Sequence, residues 1–255
     1  LDKTLVLEKN TTERHDSSRY LHTILGHMRI VGGDEAPPEF GLFHASLQNL
    51  SEYHVCGGAI VSKWHIVTAA HCVYGAKPEF INVIVGTTNL SNVGMKHNVE
   101  TINIYSKFNF TSRSDDIALL KVEQHFDMNR VRAVSLRQET LVEGDLVFLS
   151  GFGAQIVNGE SSDQMKVLML PVFSQETCRY AMRYTREVTN RMFCTFTKIG
   201  QGTCSGDSGS PIIKDNNLVG LVSWGIPCAV GFPDVHTRVA PFIKWIRQEI
   251  RNDLC

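Results

Sequence analysis

No stretch of about 18 or more consecutive apolar residues occurs in this 255-residue chain, so no segment is predicted to cross a membrane as a helix. An excess of charge of one sign is also missing. With 25 Lys and Arg against 26 Asp and Glu and a net charge of −1, the chain lacks the electrostatic footprint of a nucleic-acid or membrane-surface binder. Leu1 to Leu7 is broken by Asp2 and Lys3, so it is no signal-peptide core, and the chain reads as already processed or cut at its start. No two cysteines stand two to four residues apart, the separation that brings paired thiolates onto one zinc ion, so a structural metal is not expected. What is present is a 43% hydrophobic composition, enough for one substantial core or two smaller ones.

The cysteines Cys56, Cys72, Cys178, Cys194, Cys204 and Cys228 suffice for three bridges, leaving Cys255 over, and point to an oxidising compartment. Asn10, Asn49, Asn89 and Asn109 each open an Asn-X-Ser/Thr sequon, in keeping with a secreted, extracellular glycoprotein. Residues 1–29 include a polar, charged run from Thr11 to Arg19 with little to bury and read as a mobile extension. From Ile30 onward, short β-rich runs are bounded by Gly, Asn, Ser and Pro: Phe80 to Val85, Thr101 to Tyr105, Ile117 to Val122, Leu146 to Leu149 and Leu218 to Trp224. Many short strands predict barrels or sandwiches. Two helices are expected, a short one after Ser174 and a final one from near Pro241. In the latter, Phe242, Trp245, Ile246 and Ile250 share one face and should pack into the core.

Three local patterns carry chemistry. In Gly206-Asp207-Ser208-Gly209-Ser210-Pro211, glycines allow a serine to expose its hydroxyl while neighbouring N–H groups converge on one point, an arrangement suited to an oxyanion. Taken alone, the run is equally a turn. In Thr68-Ala69-Ala70-His71-Cys72, an apolar strand from Trp64 to Ala70 delivers a histidine directly before a cysteine. A lone histidine there is more often a satisfied core residue than a base. In Asp115-Asp116-Ile117-Ala118-Leu119-Leu120 a carboxylate stands at the mouth of a strand too apolar to solvate it, although a single aspartate there also serves as a turn or cap residue.

Together, in residue type, context and chain order, the three resemble the trypsin/chymotrypsin family of serine endopeptidases from Ile30 to about Arg251. The resemblance implies an all-β fold of two six-stranded antiparallel barrels with a C-terminal helix. It divides the chain into an activation propeptide (1–29), a first barrel (30–145), a second (146–240), the helix (241–251) and a tail (252–255). It makes Ser208 the nucleophile, His71 the base and then acid, and Asp116, rather than Asp115, the group that fixes the histidine tautomer. The N–H groups of Gly206 and Ser208 would form the oxyanion hole. Cysteine pairing would be Cys56 with Cys72, Cys178 with Cys194, and Cys204 with Cys228.

Met28-Arg29-Ile30-Val31-Gly32-Gly33 looks like the family's maturation junction. Cleavage after Arg29 by a trypsin-like protease would free the Ile30 ammonium to pair with Asp207. The base of the primary pocket falls at Gly202, where trypsins carry aspartate, with Ser223, Trp224 and Gly225 along the walls and Asp234 where most relatives have glycine. Gly202 with Asp234 resembles arthropod chymotrypsins and the brachyurins, implying large hydrophobic or aromatic P1 residues (Phe, Tyr, Leu, Met) with minor Arg or Lys tolerance. Such a pocket carboxylate must be hydrated, hydrogen-bonded or protonated. Ser210 replaces a usual glycine and would be strained if φ there is positive. Phe152 stands where tryptophan is common and His236 where tyrosine is, changes expected to alter packing. The loop from Gly86 to His97 lacks the carboxylates with which trypsins bind calcium, so no metal or other cofactor is expected. Expected partners are protein and peptide substrates, the activating protease and protein protease inhibitors, for an enzyme acting as a monomer.

Overall fold

A computed structural model describes residues 31–253, apart from Val93, Arg137 and Glu139. Asn10, Arg29, Ile30 and Cys255, singled out above, lie outside the described residues. The first barrel contains β2 (His44–Gln48), β3 (His54–Ile60), β4 (His65–Thr68), β5 (Asn82–Val85), β6 (Met95–Ile104) and β7 (Ala118–Val122), closed in the order β2-β3-β4-β7-β6-β5. All its pairings are antiparallel.

Strand periodicity explains why this part of the chain is so apolar. In the β4–β7 pair, Ile66 faces Leu120 and Val67 faces Leu119. Successive side chains leave a strand on opposite sides. Ile66 and Leu120 therefore enter the barrel core with Leu47, Val83 and Val85. Val67, Leu119 and Ile117 point the other way, into a second cluster shared with Ile213, Leu218 and Leu221 of the second barrel. Strands buried on both faces read as continuous hydrophobic runs, as Ile117 to Leu120 does.

The second barrel comprises β8 (Leu146–Gly151), β9 (Lys166–Phe173), β10 (Met192–Thr195), β11 (Pro211–Lys214), β12 (Asn217–Trp224) and β13 (Asp234–Arg238). Its order, β8-β9-β10-β13-β12-β11 and back to β8, is also closed, and the two-residue β1 (Asp34–Glu35) adds to the edge of β9. Val147, Leu149, Leu168, Leu170, Phe193 and Ile212 fill its interior. The two barrels expected from the resemblance are present.

The C-terminal helix, Ile243–Asn252, follows a 3-10 turn, Ala240–Phe242, that begins it slightly later than Pro241 suggested. Phe242 and Ile246 are fully buried in the inter-barrel cluster, with Trp245 and Ile250 packed against it. Tyr105 meets Phe242 and Trp245 edge-on, at 5.0 and 5.3 Å between ring centres. At the far end His65 Nε2 lies 2.8 Å from Asp253 Oδ2, and its Nδ1 is 2.7 Å from Ser62 Oγ. The helix thus wedges between the barrels and is tied to the first. Helix Gln175–Met182 begins where expected, its first turn capped by Ser174 Oγ accepting from Thr177 N.

Several boundaries differ from the sequence reading. Pro78–Phe80 is a 3-10 turn before β5, and Thr101–Ile104 is only the second half of β6. The strand expected over Trp64 to Ala70 is only His65–Thr68, His71 rides on a one-turn helix, Ala70–Val73, and another short helix spans Pro38–Gly41. Thr68 pairs with Ala118, the first residue of β7, so beyond it the chain has no strand partner. Replacing Phe242 with Ala should remove the centre of the inter-barrel wedge and cost about 3–5 kcal/mol in urea unfolding. A loss below about 1 kcal/mol would show that the barrels hold together without it.

Candidate active site

His71 and Asp116 meet where the one-turn helix leaves β4 and the chain enters β7. The Asp116 carboxylate, wholly buried, accepts from the His71 backbone N–H through Oδ1 at 2.8 Å and lies 2.7 Å from His71 Nδ1 through Oδ2. The first contact satisfies an otherwise orphaned N–H at the helix start, and the second holds the ring. A third partner was assigned to the substrate pocket: Ser223 Oγ donates to Asp116 Oδ2 at 2.5 Å. Thr237 Oγ1 donates to the Asp116 carbonyl at 2.9 Å. Asp115, by contrast, pairs with Arg191 at 3.0 Å. The Cys56–Cys72 disulfide anchors the helix to β3 immediately after His71. Cys56, His71 and Cys72 place potential metal ligands near one another, but both sulfurs are committed to that bond.

Ser208 reaches the same place from the second barrel. Its carbonyl accepts from Gly57 N on β3 at 2.7 Å, and Gly209 N donates to the Val222 carbonyl at 2.8 Å, so the turn is stitched to both barrels. Gly209 has φ +75° and Gly206 φ +95°, and a Cβ at Gly209 would lie 2.3 Å from Thr68 Oγ1. Glycine is needed here for backbone reasons. The N–H groups of Asp207, Gly209 and Ser210 are engaged by carbonyls, whereas among the described residues nothing accepts from those of Gly206 or Ser208. Two adjacent free donors flanking Asp207 are what an oxyanion requires. The Ser208 hydroxyl is partly exposed and has no hydrogen-bond partner among the described residues.

Ser210 escapes the strain its position suggested. Positive φ falls on Gly209 instead, and Ser210 fits because Gly57 opposes it: a Cβ at Gly57 would lie 2.2 Å from Ser210 Oγ and 2.8 Å from Ser210 Cα. Asp207, directly before the nucleophile candidate, is fully buried beside Gly151 and Gly153 and accepts from Gly153 N and Cys204 N, both at 2.9 Å. Burial pushes its carboxyl up to about 6, against those two hydrogen bonds. Around it lies a buried polar group that the sequence did not announce. His54 Nε2 donates to the Gly206 carbonyl at 2.9 Å while its Nδ1 meets Ser46 Oγ at 2.8 Å. Phe152 packs between the rings of His44 and His54, and burial lowers their pKa values to about 3 and about 4. His236 is likewise structural, 2.8 Å from Thr195 Oγ1 and packed on Phe193.

Of the residues expected to line a pocket, Gly202 and Gly225 face Asp234. Thr203, which the sequence reading passed over, donates to both carboxylate oxygens, from N to Oδ2 and from Oγ1 to Oδ1, each at 2.7 Å. These hydrogen bonds offset part of the cost of burying the carboxylate. A Cβ at Gly202 would lie 2.5 Å from Asp234 Oδ2, and one at Gly225 3.2 Å from Oδ1, so the two glycines make room for the carboxylate. Burial raises Asp234 to about 7, with the Thr203 bonds opposing and the neighbouring Asp207 charge adding to the rise. Cys204–Cys228 brackets this region and Cys178–Cys194 joins the helix at 175–182 to β10, so the three disulfides pair as the resemblance implied. Of the described sequon residues, Asn49 and Asn109 are exposed and Asn89 is partly so.

Comparison with known proteins agrees with this geometry. The family profile described as Trypsin matches residues 30–246. Chymotrypsin-2 of Vespa crabro is 36% identical over 221 residues, covering 86% of this chain and 99% of its own. Trypsin 5G1 of Aedes aegypti is 35% identical over 225 residues, 86% of this chain and 84% of its own. The vitellin-degrading protease of Bombyx mori is 30% identical over 233 residues, 89% of this chain and 88% of its own. The packing around the serine turn can be probed directly. Gly57→Ala should cost about 1–3 kcal/mol by overpacking against the Ser210 backbone. Thermal unfolding of the variant would measure it, and an unchanged melting temperature would mean that the turn can shift freely.

Proposed function

The chain belongs to the trypsin family of serine proteases, and from that premise we propose that Ser208 is the nucleophile of a secreted endopeptidase activated by cleavage after Arg29. The carrying observation is the contact of His71 Nδ1 with the buried Asp116 carboxylate at 2.7 Å, close to the stitched Ser208 turn. With Nδ1–H held by Asp116, Nε2 is left as the acceptor for the Ser208 proton. Ser208 Oγ attacks the peptide carbonyl carbon, and the N–H groups of Gly206 and Ser208 receive the oxyanion, where one lost donor typically costs about 2.7–4 kcal/mol. His71 returns the proton to the departing amine, and water repeats the sequence on the acyl-enzyme. Ser-hydroxyl and imidazole form no hydrogen bond in the free protein, as is common before substrate tightens such contacts.

Activation rests on Asp207. In the proposed active form the Ile30 ammonium supplies the countercharge for that buried carboxyl. Val31 is already anchored there, forming an antiparallel bridge with Gly202 and accepting from Gly202 N at 3.2 Å. An α-amino group ordinarily titrates near about 7.7–8.0, and pairing raises that value. The ordered state therefore holds below the raised value and is lost only as pH climbs through it. The disulfides and the sequons at Asn49, Asn89 and Asn109 favour an extracellular setting, and protein inhibitors that mimic substrate fit the same cleft. A serine-directed phosphonyl fluoride should label Ser208 stoichiometrically after cleavage at Arg29 and hardly at all before it. No labelling of the cleaved chain would favour a binding module that retains the fold without the reaction.

For specificity, Gly202 leaves the pocket floor without its own charge, and large apolar side chains gain about 1.5–3 kcal/mol from full burial there. Asp234 adds a titratable element. Because its pKa is raised to about 7, it is neutral in acid and charged above neutrality. The kcat/KM ratio of matched Arg to Phe peptides should then stay below one yet rise about tenfold between pH 6 and pH 8.5, equivalent to about 1.4 kcal/mol. The titration of the triad cancels in the ratio. A pH-independent ratio, or dominant Arg cleavage at pH 6, would contradict this assignment.

A further inference from the structure

Two guanidinium groups beside the cleft take no part in the chemistry above. Arg113, three residues before Asp116, has φ +58° and holds its guanidinium 4.4 Å from the Phe110 ring centre. Phe110 is stacked on its other neighbour, Tyr74, at 5.1 Å, so this wall continues from the helix that carries His71. Arg113 Nη1 is buried with no acceptor. Arg186 crosses from the other barrel: its Nε donates to the Thr111 carbonyl at 3.1 Å, and its guanidinium carbon lies 5.5 Å from the Trp224 ring centre.

Neither cation has a carboxylate within ion-pair distance among the described residues, in contrast to Arg191, which has Asp115 at 3.0 Å. Burial, partly offset by Asp116, and then repulsion from Arg186 lower the pKa of Arg113 below the ordinary arginine value. Two like charges tied to one short stretch of loop, one of them with a desolvated and unsatisfied donor, form a site that lacks an anion. Trp224 adds a further N–H, Nε1, that is buried without an acceptor.

We propose that Arg113 and Arg186 form an anion subsite on the acyl side of the cleft, selecting substrates with aspartate or glutamate two to four residues before the scissile bond. The proposal rests on Ser208 as nucleophile and on the pocket at Gly202 and Gly225 receiving P1. A substrate residue in that pocket places the residues before it along Trp224, which directly precedes Gly225, and hence beneath Arg186 and the loop at 105–116. A planar guanidinium, fixed by stacking and by a backbone bond, accepts a carboxylate in bidentate fashion at little ordering cost.

The test uses the cleaved protein, its concentration set by phosphonyl fluoride titration. Peptides share Phe at P1 and differ only by Glu, Gln or Lys at P2, P3 or P4. Glu should exceed Gln in kcat/KM by about fivefold or more in at least one position at low salt, with Lys below Gln, and the preference should shrink in high salt. In Arg113→Gln/Arg186→Gln the Glu-to-Gln ratio should collapse to about one. Equal cleavage of Glu and Gln peptides at all three positions would overturn the subsite, as would a preference that survives in the double variant. The wild-type comparison decides even if that variant does not fold. Failure to cleave any peptide would instead overturn the catalytic reading, and the subsite with it.

Discussion

The Asp116 carboxylate is the point on which this molecule turns. It is withdrawn from water and carries hydrogen bonds from elements of both barrels: the His71 backbone and ring from the first, and the Ser223 hydroxyl from β12 of the second. Thr237 of β13 holds the same residue through its carbonyl. A buried carboxylate is tolerable only when its lone pairs are occupied, and losing one partner commonly costs several kcal/mol. The two barrels must therefore dock in a register that brings β12 to the mouth of β7. In that register the apolar faces of β3, β4 and β7 and the C-terminal wedge are buried together.

Around this point the serine turn is placed by absence of side chains as much as by contacts. Gly57, Gly151, Gly153 and Gly209 each face an atom of the turn or of its supports at a distance no Cβ could share. Buried histidines 44 and 54 are held neutral by desolvation, so this packing introduces no competing positive charge beside Asp207. The result is a closely packed turn carrying a buried acid whose pKa burial raises to about 6. Such a carboxyl is suited to receive a cation, the role that the proposed activation gives to the Ile30 ammonium.

Much of this was legible in the sequence because its signals are local. The serine turn, the histidine before a cysteine and the aspartate before an apolar strand are short patterns, and their conjunction carries the fold with it. Repeated short β-rich runs and the stripe at Phe242, Trp245, Ile246 and Ile250 forecast strands and a packed helix in the places observed. Contacts between distant segments were not legible. Nothing near Ser223 reveals that its hydroxyl serves Asp116, and nothing near Thr203 shows that it satisfies Asp234 across 31 positions. The short helix carrying His71 was missed because its cause, the end of strand pairing at Ala118, lies far along the chain. Nor does the sequence around Ser210 show that the room for its side chain comes from Gly57, which belongs to the other barrel.

In the proposed mechanism Asp116 sets the proton position on His71, and nitrogen NMR of the histidine-labelled protein reads that position directly. With the ring neutral, the proton should sit on Nδ1 in the wild type and shift toward Nε2 in Asp116→Asn, together with a fall in kcat of several orders of magnitude. A wild-type ring protonated at Nε2, or the same tautomer and turnover in both proteins, would contradict it.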